Sequence, residues 1–374
     1  MKRRCIYLDY NATTPVLPEV AQAVELYLLE RFGNPSCGHL MGQEAKKALE
    51  EARKALARLI STEPEEIYFV SGGTEANNLA LIGAALAQSK KRHLITSRIE
   101  HPSVLNPCVR LLELGYEVSF IEVDAQGRVD PEEVARHIRE DTFLISIMLA
   151  NNETGVIQPV REIGHLCAEK GLLFHTDAAQ AVGKIPVSVK EIGCHLLTIA
   201  GHKFYAPKGI GALYVRKGTK LEKILFGAGQ ERGLRPGTEP VALAVGLGKA
   251  AEIAEMDLRA EAKRQKDLRE RLYQGLKEIF PSLVRHGPAE ETLPNTLSVA
   301  FPGHRGEEIL KAIPEICAST GAACHDRSVT ISHVLSAMKV PPEVAQGTIR
   351  FSLGRGTNLS EIEETLALFR RYFS

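Results

Sequence analysis

A lysine stands beside a histidine in the stretch TIAGHKFYAPKGIGALYV, residues 198–215, where a reactive amine could act. An ordinary lysine is protonated and solvated, because its pKa is about 10.4. Burial or a nearby cation lowers that pKa, and the neutral amine can then attack an aldehyde to form a Schiff base. Lys203 is therefore either a solvated surface charge or a nucleophile toward an aldehyde, and the other polar groups of the chain must distinguish the two.

A carboxylate in the segment HTDAAQ is placed to pair with a cation. Asp177 ends an apolar run that predicts a buried strand, and Gln180 follows three residues later. A buried carboxylate requires a cationic partner. A pyridine nitrogen kept protonated by that carboxylate would make its ring an electron sink. An aspartate that caps a surface helix has the same local sequence, so Asp177 alone leaves both interpretations open.

The segment SGGTE, residues 71–75, has the pattern of a phosphate site between a strand and a helix. Glycines such as Gly73 let the backbone approach an anion, and the first turn of a helix offers unbonded N–H groups. Thr74 adds a hydroxyl. No GKS or GKT follows, so the segment is not a nucleotide P-loop. A plain helix cap is an equally good interpretation of this segment by itself.

Two more polar side chains follow predicted strands. His101 in EHPS could stack on a flat ring and move protons, and Asn151 in NNETG could donate to a phenolate or carboxylate oxygen. Either residue taken alone is as readily structural. Together, a lysine, an aspartate, a stacking histidine and a phosphate loop describe a site for pyridoxal 5′-phosphate, and the combination is far more specific than any one member.

Two residues near the C-terminus could act on a substrate. Cys324 lies in the Gly- and Ala-rich segment ASTGAACHD, where an exposed thiol would be reactive. Arg350 in TIRFSLGR could bind a carboxylate bidentately or could be a surface charge. The seven cysteines are odd in number and widely spaced, which argues against a disulfide framework, and the lack of a CxxC motif gives a zinc site little support.

The elements that must position these groups alternate between helix and strand. Apolar periodicity predicts helices at 19–32, 43–60, 130–140 and 160–171, and strands at 67–70, 93–97, 117–123, 143–149 and 172–177. This alternation predicts an α/β fold with a mostly parallel sheet between helices. Ligands of such sheets bind at the carboxyl ends of the strands, so the polar clusters should share one rim.

A shift in composition near residue 250 predicts a second, smaller domain. Residues 242–280 predict one long, charged and bent helix, followed by a strand at 296–301 and a closing helix at 359–372. We therefore expect a large cofactor-binding domain at 16–253. Residues 1–15 and 254–374 should form a small α+β domain that carries the Cys324 loop.

The overall composition excludes several classes of partner. The chain has 374 residues, of which 25% are charged, and its 46 basic residues balance its 46 acidic residues. A net charge of +0 gives no reason to expect nucleic acid or an anionic membrane as a partner. No run approaches the ~20 apolar residues of a membrane span, and the N-terminus lacks the apolar region of a signal peptide. A cytoplasmic location is the resulting expectation.

From about residue 6 to the C-terminus, the chain resembles the cysteine desulfurases and selenocysteine lyases of the class-V aminotransferase fold. The motifs that carry the resemblance are YLDYNATTP, SGGTEANN, EHPS, NNETG, HTDAAQ, GHKFYAPKGIGALYV, RPGTE, GAACH and IRFSLGR. The resemblance implies a pyridoxal-phosphate homodimer of fold type I. It further implies that sulfur or selenium is removed from L-cysteine or L-selenocysteine to give L-alanine, with an acceptor protein as a possible partner.

The resemblance also implies a role for each candidate residue. Lys203 would be the Schiff-base lysine, Asp177 would pair with the pyridine nitrogen, and His101 would stack on the ring. Gln180 and Asn151 would contact the ring hydroxyl, and Gly73, Thr74 and His202 would hold the phosphate. Thr238 would reach the phosphate of the other subunit, and Arg350 and Asn151 would bind the substrate. Cys324 would be the thiol that meets sulfur or selenium.

The sequence leaves the choice of substrate open. The loop GAACH and Ala200, where many desulfurases have serine, resemble selenocysteine lyases. Pro102 follows the stacking histidine where many desulfurases carry lysine and animal lyases carry aspartate, so it supports neither. Two alternatives remain, which are a class-V transaminase without a catalytic cysteine and a non-catalytic accessory protein of the same fold.

Overall fold

The computed structural model describes residues 5–320, 322–323 and 330–374. The predicted alternation of strand and helix is confirmed. Polar residues follow each strand of the central sheet in the sequence. The strands are β1 Ile6–Tyr7, β2 Ile67–Val70, β3 His93–Ser97, β4 Glu117–Ile121, β5 Thr142–Ser146, β6 Leu173–Asp177, β7 Leu196–Ala200, β8 Gly211–Val215, β9 Val284–Arg285, β10 Thr296–Ala300, β11 Ile316–Cys317, β12 Ser319–Thr320, β13 Ala322–Ala323, β14 Thr330–Ile331 and β15 Thr348–Ser352.

Helices cover both faces of the central sheet and one face of a smaller sheet. They are α1 Pro18–Leu29, α2 Leu40–Leu59, α3 Gly73–Leu86, α4 Pro102–Glu113, α5 Pro131–Arg136, α6 Val160–Lys170, α7 Val189–Ile192, α8 Val241–Ile279, α9 Gly306–Ala312, α10 His333–Ala337, α11 Pro342–Ala345 and α12 Leu359–Phe373. The predicted helix at 19–32 ends earlier, at Leu29, because Gly33 and Pro35 follow closely and oppose helix continuation.

The central sheet has seven strands in the order β2-β8-β7-β6-β5-β3-β4. Strands β3 to β7 pair in parallel, whereas β8 runs antiparallel to both of its neighbours. Residues of β3, β5 and β7 are buried throughout, as expected for parallel strands that are covered on both faces. The prediction of a mostly parallel sheet between helices is therefore confirmed, with one antiparallel strand that the sequence did not indicate.

The carboxyl ends of six strands, β2 to β7, lie along one edge of this sheet. Because β8 is antiparallel to both β2 and β7, β2 runs in the same direction as the parallel strands. The polar segments after β2, β3, β5, β6 and β7 therefore reach the same rim, as expected for parallel sheets.

A smaller sheet of order β12-β15-β10-β9 lies beyond the long helix α8. The predicted bend in that helix is present, since Asp257 leaves the helical region with φ −135° and ψ 15°. Residues before the bend pack into the core of the central sheet, and Leu272 and Leu276 after it pack with Phe351 of the smaller sheet. The bend lies near the predicted boundary at 253, and the division into two domains stays a prediction.

Two cysteines that the sequence analysis did not pair are neighbours in the structure. Cys5 and Cys317, which are 312 positions apart in the sequence, lie side by side with Cα atoms separated by 6.7 Å. Pairing of β1 with β11 brings them together, and no local spacing could have indicated it. Cys108, Cys167 and Cys194 are buried, in agreement with the prediction that most cysteines are small apolar core residues.

Neither a spanning helix nor a metal cluster emerges from the parts of the chain that the structure describes. In residues 5–320, 322–323 and 330–374, no helix combines the length and apolar character needed to cross a bilayer. No group of histidine, cysteine, aspartate and glutamate side chains in these ranges is arranged to hold a metal ion.

Candidate active site

A cavity of about 340 Å³ lies at the shared rim of the central sheet. It extends toward the smaller sheet, so residues from both parts of the chain line it. Among the residues in its wall are the predicted site residues Gly73, Thr74, His101, Asp177, Gln180, His202, Lys203 and Arg350.

Lys203 occupies a short 3₁₀ turn, Gly201–Lys203, directly after β7. Its Nζ donates to the backbone carbonyls of Asn11 at 2.6 Å and Ala12 at 2.9 Å. Burial lowers the pKa of Lys203 to about 8, and the Arg350 guanidinium adds to this effect, against the opposing carboxylates of Asp177 and Asp9. The lysine is therefore no solvated surface charge, because it is held inside a cavity with its pKa moved toward neutrality.

Asp177 at the end of β6 is a buried carboxylate without a cationic partner in the described chain. Only 6% of the residue is exposed. Its Oδ2 accepts from Nδ2 of Asn77 at 2.7 Å, and its Oδ1 accepts from the backbone N–H of Ala179 at 2.9 Å. No described lysine, arginine or histidine forms a salt bridge with it. Neutral donors compensate a buried carboxylate only partly, so the site favours a cation within the cavity.

His101 forms the N-cap of α4 and is held as a neutral ring. Its Nδ1 accepts from the backbone N–H of Ser103 at 3.1 Å and lies 2.8 Å from the Ser103 hydroxyl. Burial lowers the pKa of His101, and the cationic forms of Lys203 and His333 add to this against the influence of Asp177. A neutral imidazole with an accepting Nδ1 carries its proton on Nε2, and its flat face is suited to contact a ring.

The start of α3 is the anion-binding end of the cavity. Its N-cap, Gly72, makes no side-chain cap bond, so the first N–H groups of the helix stay available. Gly73 is closely packed, because a Cβ at this position would lie 3.3 Å from Cβ of Ala200. His202 completes this end, and burial lowers its pKa to about 4, which keeps it a neutral donor.

Arg350 on β15 brings a guanidinium from the smaller sheet to the cavity. Its Nη2 pairs with Asp9 at 2.6 Å, and its Nη1 donates to the carbonyl of Asn152 at 2.9 Å. Its buried Nε has no hydrogen-bond partner in the described chain. A buried donor left unpaired is costly, so Arg350 is suited to receive a carboxylate from a ligand.

Two of the described predicted residues, Asn151 and Thr238, are not in the cavity wall. The side-chain amide of Asn151 donates to the carbonyl of Ile99 and accepts from the backbone N–H of Thr154, and its role toward the cofactor and substrate stays a prediction. Thr238 is exposed and lies outside the cavity wall, as a residue must if it serves another subunit. Cys324 lies outside the described residues.

The structure adds site residues that sequence reasoning missed. Asp9 and Asn11 come from the segment YLDYNATTP, which carried the resemblance without assigned roles, and both contact predicted site residues. Asn77 bridges Asp177 and Ser103 with hydrogen bonds of 2.7 and 2.8 Å. Asn77 lies one helical turn after Gly73, so its spacing within SGGTEANN was the available signal.

These residues fit pyridoxal phosphate as a group. The cavity presents an amine for its aldehyde, a carboxylate without a cation for its ring nitrogen, a neutral imidazole for its ring face and a helix start for its phosphate. Each of these four features is suited to bind one chemical group of that cofactor.

Known proteins resemble this chain over almost its whole length. The family model described as Aminotransferase class-V matches residues 6–365. A protein named cysteine desulfurase IscS from Dictyoglomus turgidum is 46% identical over 374 residues, covering 99% of this chain and 95% of the relative. Another of that name from Methanosarcina thermophila is 45% identical, covering 98% of this chain and 91% of the relative.

Solved structures with the same fold cover nearly the entire chain. A structure described as a NifS-like protein superposes with a TM-score of 0.93 at 39% identity, covering 99% of both chains. A structure described as SspA in complex with cysteine superposes with a TM-score of 0.83 at 37% identity, covering 93% of this chain and 98% of that one.

Proposed function

We infer that this chain, which belongs to the class-V aminotransferase family, is a pyridoxal-phosphate-dependent cysteine desulfurase that removes sulfur from L-cysteine and leaves L-alanine. The observation that carries this function is the position of the amine of Lys203 in one cavity with the buried carboxylate of Asp177, which forms no salt bridge with a described residue. The relatives named cysteine desulfurase, at 46% and 45% identity over almost the full chain, support the same reaction.

Each residue of the cavity has a defined task in this proposal. When bound, the cofactor supplies an electron sink. Lys203 would hold the cofactor through its amine and would be the base that moves the proton at the substrate α-carbon. Asp177 would keep the ring nitrogen protonated, and His101 would pack on the ring as a neutral imidazole. Arg350 orients the substrate through its carboxylate.

Cys324 is proposed as the thiol that receives the sulfur of the substrate. The resemblance of GAACH to the cysteine loop of the family supports this assignment, and the residue lies outside the described ranges. The sulfur must leave the enzyme before a further turnover, so a sulfur acceptor, either a protein or a small thiol, belongs to the proposal. The balanced charge of the chain gives no reason to propose nucleic acid or a membrane, and a cytoplasmic location stays an expectation.

The substrate is tested by measuring L-alanine released from L-cysteine and from L-selenocysteine, with wild type and Cys324→Ala in parallel. We expect cysteine turnover to fall by about a hundredfold or more in the variant, because the nucleophile for sulfur is lost. Cys37→Ala, which changes an exposed free cysteine, serves as the control and should keep wild-type turnover.

Other outcomes of that experiment identify the alternatives. A strong preference for selenocysteine that survives in Cys324→Ala would indicate a selenocysteine lyase. Pyridoxamine phosphate formed with a keto acid, with activity independent of Cys324, would indicate a transaminase. If the purified protein bound no cofactor, only the interpretation as a non-catalytic accessory protein would remain.

We also propose that the protein is a homodimer. Thr238 is exposed, as expected if it contacts the phosphate of the other subunit. Large apolar side chains near the start of α2 are also exposed, with Phe32 at 67% and Leu40 at 72%. Burial of such side chains in an interface is favourable. Light scattering of the holoenzyme should give twice the mass of the chain, and a monomer mass at micromolar concentration would contradict the proposal.

The role of Arg350 is tested with Arg350→Met. We expect kcat/KM for L-cysteine to fall roughly a hundredfold, mainly through a higher KM, because charge-assisted bonds to the substrate carboxylate are lost. Arg355→Met is the matched control, since Arg355 also pairs with an aspartate, Asp257 at 2.5 Å, but does not line the cavity. Equal KM values for the two variants would argue against a carboxylate clamp at Arg350.

A further inference from the structure

A second buried amine lies directly behind the cavity. Lys184 is only 9% exposed and does not belong to the cavity wall. Its Nζ donates to Oε1 of Gln180 at 2.7 Å and to Oδ1 of Asn11 at 3.0 Å. Both acceptors belong to residues that do line the cavity. This amine is buried away from solvent, and both of its hydrogen bonds are to residues of the cavity wall.

The hydrogen bonds of Lys184 determine which end of the Gln180 amide faces which partner. The carbonyl end accepts from Lys184, and the nitrogen end donates to the backbone carbonyl of Asn11 at 3.0 Å. A backbone carbonyl can only accept, so a reversed amide would place two carbonyl oxygens against each other. Gln180 is therefore held as a donor on the side away from Lys184.

The same backbone carbonyl connects Gln180 to Lys203. The Asn11 carbonyl accepts from Nε2 of Gln180 at 3.0 Å and from Nζ of Lys203 at 2.6 Å. The donor end of the amide therefore lies beside the amine that takes the aldehyde carbon. In pyridoxal the phenolic oxygen is attached to the ring atom next to the one that carries the aldehyde. A ring held by Lys203 would therefore have the Gln180 N–H groups as donors available to its phenolic oxygen.

The local backbone holds Lys184 in this position. Gly183 has a φ of 77°, and a Cβ at this residue would lie 2.6 Å from Cβ of Phe204, the residue after Lys203. The turn that carries Lys184 therefore packs directly against the turn that carries Lys203, and only glycine fits between them.

We propose that Lys184 is a positioning residue that holds the Gln180 amide with its N–H groups toward the phenolic oxygen of bound pyridoxal phosphate. The proposal rests on the proposed function, because it requires that cofactor on Lys203. Burial, with the neighbouring cations of Lys203 and Arg350, lowers the pKa of Lys184 well below its usual range. The amine donates one N–H group to each of its two acceptors, Gln180 and Asn11.

The effect of this arrangement is a lower pKa for the nitrogen that Lys203 contributes to its bond with the cofactor. A hydrogen-bond donor to the phenolic oxygen makes that oxygen less basic. The oxygen then attracts the proton on the Lys203 nitrogen less strongly, so the nitrogen loses this proton at a lower pH. Loss of the donor raises the pKa of the nitrogen. Among the residues that the structure describes, the charged or titratable groups that face this part of the cavity are Asp9, Asp177, His101, His202, Lys203 and Arg350.

The test is a pH titration of the visible absorbance of the cofactor-loaded protein, which needs no substrate. In Lys184→Met, the midpoint of the absorbance change should rise by about one pH unit, the size expected for one hydrogen bond to a charged group. Lys190→Met removes an exposed lysine of the same segment and should leave the midpoint unchanged. An unchanged midpoint in Lys184→Met would overturn the proposal.

A double variant separates positioning from a simple charge effect. If Lys184 acts through Gln180, then Gln180→Leu with Lys184→Met should have the same midpoint as Gln180→Leu alone. If Lys184 acts as a distant cation, the two shifts should add, and the proposal would be wrong. Should Lys184→Met fail to fold alone, unequal midpoints of Gln180→Leu and the double variant would still overturn the proposal. Wild type without a cofactor band would instead contradict the proposed function.

Discussion

Lys203→Ala should reduce L-alanine release from L-cysteine by roughly a thousandfold or more, because the variant loses both the covalent anchor of the cofactor and the base. The structure gives the reason in terms of this side chain. Its amine is buried, donates to the carbonyls of Asn11 and Ala12, and has a pKa lowered to about 8, so a sizeable neutral fraction exists near neutral pH. The measurement is alanine formed per enzyme at saturating cofactor.

The matched control is Lys217→Ala, which removes an exposed lysine beyond β8. This variant should retain wild-type turnover and the visible absorbance of the bound cofactor. Lys203→Ala should lose the covalent absorbance while keeping a melting temperature close to that of the cofactor-free wild type. Turnover of Lys203→Ala within tenfold of wild type would refute both the desulfurase and the transaminase readings.

Asp177→Asn should lower kcat by about a hundredfold or more while preserving the shape of the site. Asparagine has nearly the same size, and one of its atoms can still accept from Asn77. It carries no negative charge, so the ring nitrogen loses the carboxylate that would keep it protonated. The expected result is a slow enzyme that still binds the cofactor, measured by alanine release and by absorbance in parallel.

Stability separates this electrostatic effect from damage to the fold. Asp177 is buried without a cation in the described chain, so the cofactor-free protein should tolerate its neutralisation, with a melting temperature within about 3 °C of wild type. Asp267→Asn, at an exposed position of α8, should leave both kcat and the melting temperature unchanged. A much lower melting temperature of Asp177→Asn would show that the variant loses activity because its fold is destabilised.

The apolar periodicity of the sequence was sufficient to predict most strands of the central sheet. The strands at 67–70 and 93–97 have the predicted bounds, because each is a short apolar run between polar residues. Helix Pro102–Glu113 was less evident, because Pro107 interrupts its pattern although the helix continues through that residue. The antiparallel direction of Gly211–Val215 was not evident either, since the apolar pattern of a strand does not encode its direction.

By itself, the sequence determined which reactive groups the chain has and that several of them follow strands that share one rim. The amine of Lys203, the carboxylate of Asp177 and the helix start at Gly73 could be assigned because parallel strands place their carboxyl ends together. The motif order then identified the family from these residues.

Only the tertiary structure decided what each group contacts. Arg350 pairs with Asp9, 341 residues away, and Lys184 reaches Asn11 across 173 residues. Such pairs form where the N-terminal segment packs against both sheets, and helix or strand periodicity carries no information about contacts at that separation. Whether a buried lysine, aspartate or arginine is compensated depends on those distant neighbours, and so the chemical state of the site is a property of the fold.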